Sequence, residues 1–488
     1  MDRTAVKNYA PQARRDFLQA VTDRAAHLGL TADGVEPVVR KGDAVFIGGR
    51  VFPAAVERQR KALEERIKSA APNHSDGFHI TVDALAYTWF NRLVAIRFME
   101  LHDYLENGTG GASFRVLSHP DGKHTPEILD RVDEVELPGL KRDHVIGLKL
   151  DGKEAELYRL LLISQCNALH AAMPFLFEKV ADETELVLPE NLLTTDSLVR
   201  KLVAGIPEAD WREEVEIIGW LYEAYNSERY AEVIGRVVEC DDIPVATQKF
   251  TPKWVVQYLV QNTVGRLWLS TYPDSPLKAH LRYYVEPAEQ TEEVRRQLAE
   301  LTPKTLNPEE ITMLEPACGS GHILAVGYDV FKAIYQERGY RLRDIPALIL
   351  GKNLIGLEID ERAAQLASFT LMMKARADDP RFLSREPEKL VKPRVMALLP
   401  TRRCGLGELT GEDIADMLNA PVVEVELPHS GRLFDVDDGL YSKSNLGVAG
   451  EIEAADVTAL LKLFENAHCT GSMIRIPDAL ATTTARVS

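Results

Sequence analysis

One stretch, from Ile311 to Ile334, constrains the fold more than any other. Ile311-Thr312-Met313-Leu314 is a short apolar run with strand character, and it leads into Glu315-Pro316-Ala317-Cys318-Gly319-Ser320-Gly321-His322. Ile323, Leu324, Val326, Gly327, Val330, Phe331 and Ile334 then recur at helical spacing. The order is strand, glycine turn, helix. Glycines let the chain turn sharply and let a ligand approach the backbone. The helix start behind them presents unpaired N–H groups to a polar or anionic group. A second strand follows at Asn353-Leu354-Ile355-Gly356-Leu357-Glu358-Ile359-Asp360, with a helix from Arg362 to Lys374. The right-handed crossover rule predicts that strand 311–315 lies beside strand 353–358. An acid at the carboxyl end of a second strand is where a doubly wound fold grips a ribose diol.

Three ligand classes compete for such a turn. A phosphate-gripping P-loop needs GxxxxGK[ST], and the sequence has no such string. A dinucleotide site needs GxGxxG, but here Leu324 stands at the third glycine position. Glu358 lies 37 residues beyond Gly321, where that fingerprint wants about 20. S-adenosylmethionine (AdoMet) carries a ribose without a pyrophosphate and needs fewer glycines.

Upstream the texture is helical. Phe17, Leu18, Val21, Ala25 and Leu28 recur at helical spacing, and Val45 to Phe52 reads as a hairpin around Gly48-Gly49. Leu85, Trp89, Leu93 and Ile96 form one apolar stripe. For Arg92, Arg97 and Glu100 beside it, a solvated helix face or a local ion pair is the ordinary expectation. Further helices are read at 160–169 and 215–225. Asp241-Asp242-Ile243-Pro244 reads as a loop, Thr251 as an N-cap and Pro252 as the first helical residue. Residues 286–310 read as a surface helix with flanking linkers. With 57 Lys and Arg against 74 Asp and Glu, the net charge of −17 argues against a chain that coats nucleic acid non-specifically. Five scattered cysteines without a CxxC pair fit a reducing cytoplasm and no zinc knuckle. No apolar run reaches the roughly 20 residues of a membrane span, and the start lacks a signal-peptide pattern.

Glu315 to Gly321 resembles motif I of N6-adenine DNA methyltransferases, usually written with Asp first. Phe250-Thr251-Pro252 resembles motif X, which precedes motif I in the γ-type order, and Gly356 to Asp360 resembles motif II. Tyr87-Thr88-Trp89-Phe90-Asn91-Arg92-Leu93, Ile96 to Glu100, and Ile217-Ile218-Gly219-Trp220-Leu221-Tyr222 are similar to PglX, the adenine-specific methyltransferase of BREX phage-defence systems. The resemblance implies an α plus α/β architecture. A helical domain (1–245) precedes the first part of a Rossmann-like AdoMet-dependent domain (246–400), and 401–488 is an insertion or the start of the remainder. It implies that Glu315, Ala317, Gly319 and Gly321 hold the methionine end of AdoMet, Glu358 the ribose and Ile359 the adenine, with Thr251 and Pro252 in contact with the cofactor. Cys318 sits near a helix N-terminus, a placement that lowers a thiol pKa, but no His partner is evident and the loop wants a small residue there.

The family clamps the target amine with Asn-Pro-Pro-Tyr and stacks the flipped base on the aromatic ring. This sequence has no Asn-Pro-Pro: Asn307-Pro308-Glu309 precedes motif I, and Asn419-Ala420-Pro421 lacks the aromatic. The acid that meets the cofactor's adenine amine has no counterpart in 391–399. A strand start at Phe434-Asp435-Val436 and a helix over 452–464 are expected beyond. The chain therefore reads as the truncated front part of such an enzyme, with no catalytic residue and no metal ligand assigned. Double-stranded DNA would be met through the missing C-terminal part, and other BREX components are candidate partners. The competing expectation is a scaffold module, with or without AdoMet.

Overall fold

The computed structural model describes residues 3–178, 183–238, 242–249, 251–398 and residues 458, 459 and 462. Helix α1 (Thr4–His27) buries Val6, Ala10, Ala13, Phe17, Val21 and Ala25 along one stripe. It packs on α3 (His74–Leu101), as does α2 (Ala55–Ala70). Between α1 and α2 lie two small antiparallel sheets. One pairs β1 (Leu30–Thr31) with β2 (Gly34–Val35). The other is a meander of β3 (Val38–Lys41), β4 (Ala44–Ile47) and β5 (Arg50–Pro53). The hairpin expected at Gly48-Gly49 is its second half, closed by Ile47 opposite Arg50.

Helix α3 is the core of the helical part. Asn73 caps its start by accepting from the Ser75 N–H. From Trp89 to Leu101 every side chain is buried, Arg92, Arg97 and Glu100 included. The expectation of a solvated face is thus corrected. A helix enclosed on all sides has no wet stripe, so its charges find their partners inside the fold, on the helix itself and on loops wrapped around it. Arg97 Nη1 meets Glu100 Oε1 at 2.6 Å and donates to Ser118 Oγ at 2.7 Å. Glu100 Oε2 accepts from Leu117 N at 2.7 Å. Arg92 Nε donates to the Leu176 carbonyl at 3.2 Å. The local ion pair was a correct expectation for Arg97 and Glu100; the wet surroundings were not.

Helices α4 (Glu154–His170) and α5 (Ile217–Tyr225) match the expected apolar runs. Ile243-Pro244, expected in a loop, instead opens the short helix α6 (Ile243–Thr247), with Pro244 in its first turn, where a missing N–H is harmless. Helix α7 (Lys253–Val260) starts one residue later than expected. Pro252 holds the N-cap position at φ −54°, ψ 138°, and Thr251 lies outside without a capping hydrogen bond. Phe250 lies outside the described residues. The surface helix of the acidic stretch is α8 (Glu292–Leu301), which buries no residue.

A three-stranded parallel sheet follows, in the order β6 (Met313–Glu315), β7 (Leu354–Glu358), β8 (Arg394–Ala397). Met313 pairs with Leu354 and Glu315 with Gly356, so the two expected strands are neighbours. Glu358 in turn pairs with Ala397. Helix α9 (His322–Glu337) connects β6 to β7, and α10 (Glu361–Asp378) connects β7 to β8. Both carry broad buried faces, α10 from Ala363 to Arg376. The run 434–436 lies outside the described residues, as do most of 452–464; Thr458, Ala459 and Lys462 are helical.

The helical part and the sheet part meet through charge and aromatic contacts. Asp83 on α3 lies 2.8 Å from both Arg14 on α1 and Arg362 on α10. Arg362 also covers the Tyr87 ring, 4.6 Å from its centroid.

Candidate cofactor site

The site grows from the ends of β6 and β7. After Glu315 the chain turns through Pro316–Ser320 and enters α9. Cys318 N donates to the Leu357 carbonyl at 2.9 Å, which ties the loop to β7. Gly319 and Gly321 have φ of 54° and 89°, a region that L side chains avoid. Space also matters at Gly321, where a Cβ would stand 3.0 Å from Ala367 on α10.

Glu358, the last residue of β7, joins both loops. Its Oε2 accepts from Gly319 N at 2.6 Å, and its Oε1 accepts from Ile359 N and Asp360 N at 3.0 Å each. Burial pushes its carboxyl above the ordinary value, and the three N–H groups pull back without cancelling that rise. Asp360 caps α10: Oδ1 accepts from Arg362 N at 2.9 Å, and Oδ2 accepts from the Tyr222 hydroxyl at 2.6 Å.

A cavity of about 270 Å³ opens over these loop ends. One wall is the glycine loop with His322 and Ile323. A second is Glu358, Ile359 and Ala363. The third comes from the helical part: Gly219, Tyr222 and Glu223 of α5, then residues of 243–249 and Thr251. Of the residues expected at a cofactor site, Thr251, Ala317, Gly319, Glu358 and Ile359 line this cavity, whereas Pro252, Glu315 and Gly321 do not. Pro252 is taken up by the α7 cap, Glu315 ends the strand below the loop, and Gly321 turns against α10. Burial raises the Glu315 carboxyl as well.

Tyr222, Gly219, Gln248 and Lys249 were missed. Tyr222 and Gly219 belong to a run read as a helix and as a block similar to PglX, and a helix that serves a core and a cavity at once shows only its apolar face in its periodicity. Gln248 and Lys249 immediately precede Phe250-Thr251-Pro252, which was the available signal. His322 closes the glycine string; its Nε2 lies 3.2 Å from Ser320 Oγ, and burial pushes its pKa down to about 3, so the ring is neutral. The helix start does not activate Cys318. Burial, with Glu358 and Glu315 close by, drives its thiol far up, so it stays protonated. Among the described residues no three His, Cys, Asp or Glu gather as metal ligands, and no helix is long and apolar enough to cross a membrane.

No family model matches the chain. The adenine-specific methyltransferase BrxX of Escherichia coli O9:H4 (strain HS), however, is 54% identical over 487 residues, 98% of this chain. The chain belongs to the BrxX/PglX family. The adenine-specific methyltransferase PglX of Lacticaseibacillus casei (strain Zhang) is 36% identical over 409 residues, 78% of this chain. The chain spans 38% of the length of that BrxX and 33% of that PglX. The BrxX alignment takes in both the helical part and the sheet part, so the two occur together in this family. A solved structure of the Type IIL restriction-modification enzyme MmeI in complex with DNA aligns over 74% of this chain and 42% of its own, at 15% identity and a TM-score of 0.31. That is too slight a likeness to bear on the fold.

Proposed function

We propose that this chain is the AdoMet-binding portion of a BREX-type DNA N6-adenine methyltransferase, with β6 to β8 the first strands of a Rossmann-like sheet. The observation that carries the reading is the cavity at the carboxyl ends of two adjacent parallel strands, bounded by a glycine loop on one strand and a buried acid on the next. The residues fit the cofactor. A carboxylate offers about four lone-pair sites, and backbone N–H groups take three at Glu358, which leaves one for a ribose hydroxyl. The space above Gly319 is open, with nothing within 4 Å of a Cβ placed there. Ile359 offers an apolar surface to a purine, Ala317 and Gly319 would take the methionine end, and Thr251 would contact the cofactor from the opposite wall.

When bound, AdoMet supplies an electrophilic methyl group. This chain's residues bind and orient it; His322, whose pKa burial pushes down to about 3, is too weak a base to take the target amine's proton, and Cys318 is already protonated. The amine clamp is absent, since the sequence contains no Asn-Pro-Pro. We therefore propose that the 488 residues do not methylate DNA alone, that duplex DNA is met through segments matching the rest of the relatives' length, and that the setting is the cytoplasm. The missing clamp also favours a second reading, a non-catalytic AdoMet-binding or protein-binding scaffold of the defence system. Calorimetry with AdoMet tests cofactor binding. Incubation with AdoMet and unmethylated genomic DNA, followed by nucleoside analysis, tests activity. N6-methyladenine above a no-protein control would overturn the claim of inactivity. A chain that binds no AdoMet would overturn the cofactor reading.

A further inference from the structure

Helix α5 runs along one wall of the cavity and touches both of its working corners. Near its start is Gly219. A Cβ there would stand 2.2 Å from His322 Nε2, 2.4 Å from His322 Cε1 and 2.5 Å from Ser320 Oγ. Real Cβ atoms do not come so close, so any larger residue here must push the Ser320 and His322 side chains aside before the helix can settle onto the glycine loop. Glycine inside a helix weakens it relative to alanine, and the close approach is what that weakness secures. One turn on, the Tyr222 hydroxyl donates to Asp360, whose N–H in turn donates to Glu358. The far side of the same helix is fixed in the helical core. Leu221 and Tyr225 are buried, and the Tyr225 ring lies 4.3 Å from Phe90 and 4.7 Å from Tyr87, centroid to centroid.

We infer that α5 is a clamp that sets the separation between the glycine loop and the acid turn, with Gly219 and Tyr222 as positioning residues for the ligand between them. The two corners stand on different strands, and α5 engages both from outside the sheet. The inference rests on the cofactor reading above.

The test is AdoMet calorimetry on the full 488-residue chain. Gly219→Ala is made in the wild-type background and in a Ser320→Ala/His322→Ala background, which removes the atoms that the new methyl group meets. In the wild-type background, overpacking should weaken AdoMet binding about tenfold. In the other background, Gly219→Ala should stay within about twofold of its parent, because the clash is gone. Equal losses in both backgrounds, or none in the first, overturn the inference, since a merely weakened helix would not be rescued by trimming the loop. If thermal melting shows Gly219→Ala unfolded, Tyr222→Phe decides, because it removes one hydroxyl and no packing volume. It should bind AdoMet about tenfold more weakly through the loosened acid turn, and unchanged affinity overturns the inference. Wild-type protein that binds no AdoMet removes the cofactor reading together with the inference, whereas normal wild-type binding with unrescued variants removes the inference alone.

Discussion

Glu358→Ala separates what this acid does for the loop from what it does for a ligand. The carboxylate accepts from three backbone N–H groups, at 2.6, 3.0 and 3.0 Å. Leaving a buried donor unsatisfied costs about 1–3 kcal/mol. Water entering from the cavity recovers part of that, and removing a buried charge recovers more, so the ligand-free protein should lose about 1–3 kcal/mol in all. The ribose contact is a separate loss, about 1.5–3 kcal/mol for a hydrogen bond to a charged group, or about 10- to 150-fold in affinity. Glu358→Gln keeps the acceptor for Ile359 and Asp360 but turns an amide donor toward the Gly319 N–H, so it should fall between wild type and alanine in stability. The pH dependence has two opposite signs. Because burial raises the folded-state pKa, this group's contribution to folding is fully present below the unfolded pKa and is lost as pH rises through the folded one. Ribose hydroxyls, in contrast, need the ionised form. Acidification from neutral pH should therefore weaken AdoMet binding, beginning above the ordinary glutamate range, while this residue's term in ligand-free stability improves. Calorimetry across a pH series, paired with thermal melts, reads both. Unchanged AdoMet affinity in Glu358→Ala, or affinity that rises on acidification, refutes the reasoning.

Asp83→Asn should destabilise the protein by about 2 kcal/mol in urea titrations, below the 3–5 of fully buried pairs because the site is partly solvated. Burial raises the Asp83 pKa, but Arg362 and Arg14 outweigh it and leave the group below its ordinary value. Its stabilisation is thus present above the unfolded pKa and lost as pH falls through the folded one, a limb that Asp83→Asn should lack. Glu100→Ala takes from the fully buried Arg97 its nearest carboxylate and leaves it the half-exposed Glu208 at 3.3 Å, so it should cost about 2–3 kcal/mol, short of the 3–5 of a buried charge left with no partner, read as a lowered melting temperature. Cys318 and Cys166, the latter with its thiol pushed up to about 11 by burial, should resist iodoacetamide at pH 8 until denaturant is added; peptide mass mapping that finds either alkylated in the folded protein contradicts their enclosure.

The strand, glycine turn and helix at 311–337 were legible because each step has a local cause: an apolar run, residues that tolerate positive φ, and a return to helical spacing. The pairing of β6 with β7 followed from the handedness of the crossover. What escaped the sequence was set by neighbours distant in the chain. Arg92, Arg97 and Glu100 are interior because loops near 117 and 176 fold back over α3, and nothing in 85–101 announces those loops. Tyr222 faces the cavity because Asp360, 138 residues later, comes within 2.6 Å. The shift of α7 by one residue is the ordinary uncertainty of a helix start at proline.

The family resemblance puts a border between residues 245 and 246, and a cut there would sever contacts that join the two sides. It would part Asp83 from Arg362, Tyr222 from Asp360, and Gly219 from the loop it rests against. The sheet side would keep a glycine loop and an acid with the third wall of the cavity gone, and the helical side would expose Tyr87 and an aspartate short of one of its two arginines. Fragments meant to isolate the cofactor site should begin at residue 3 rather than at 246.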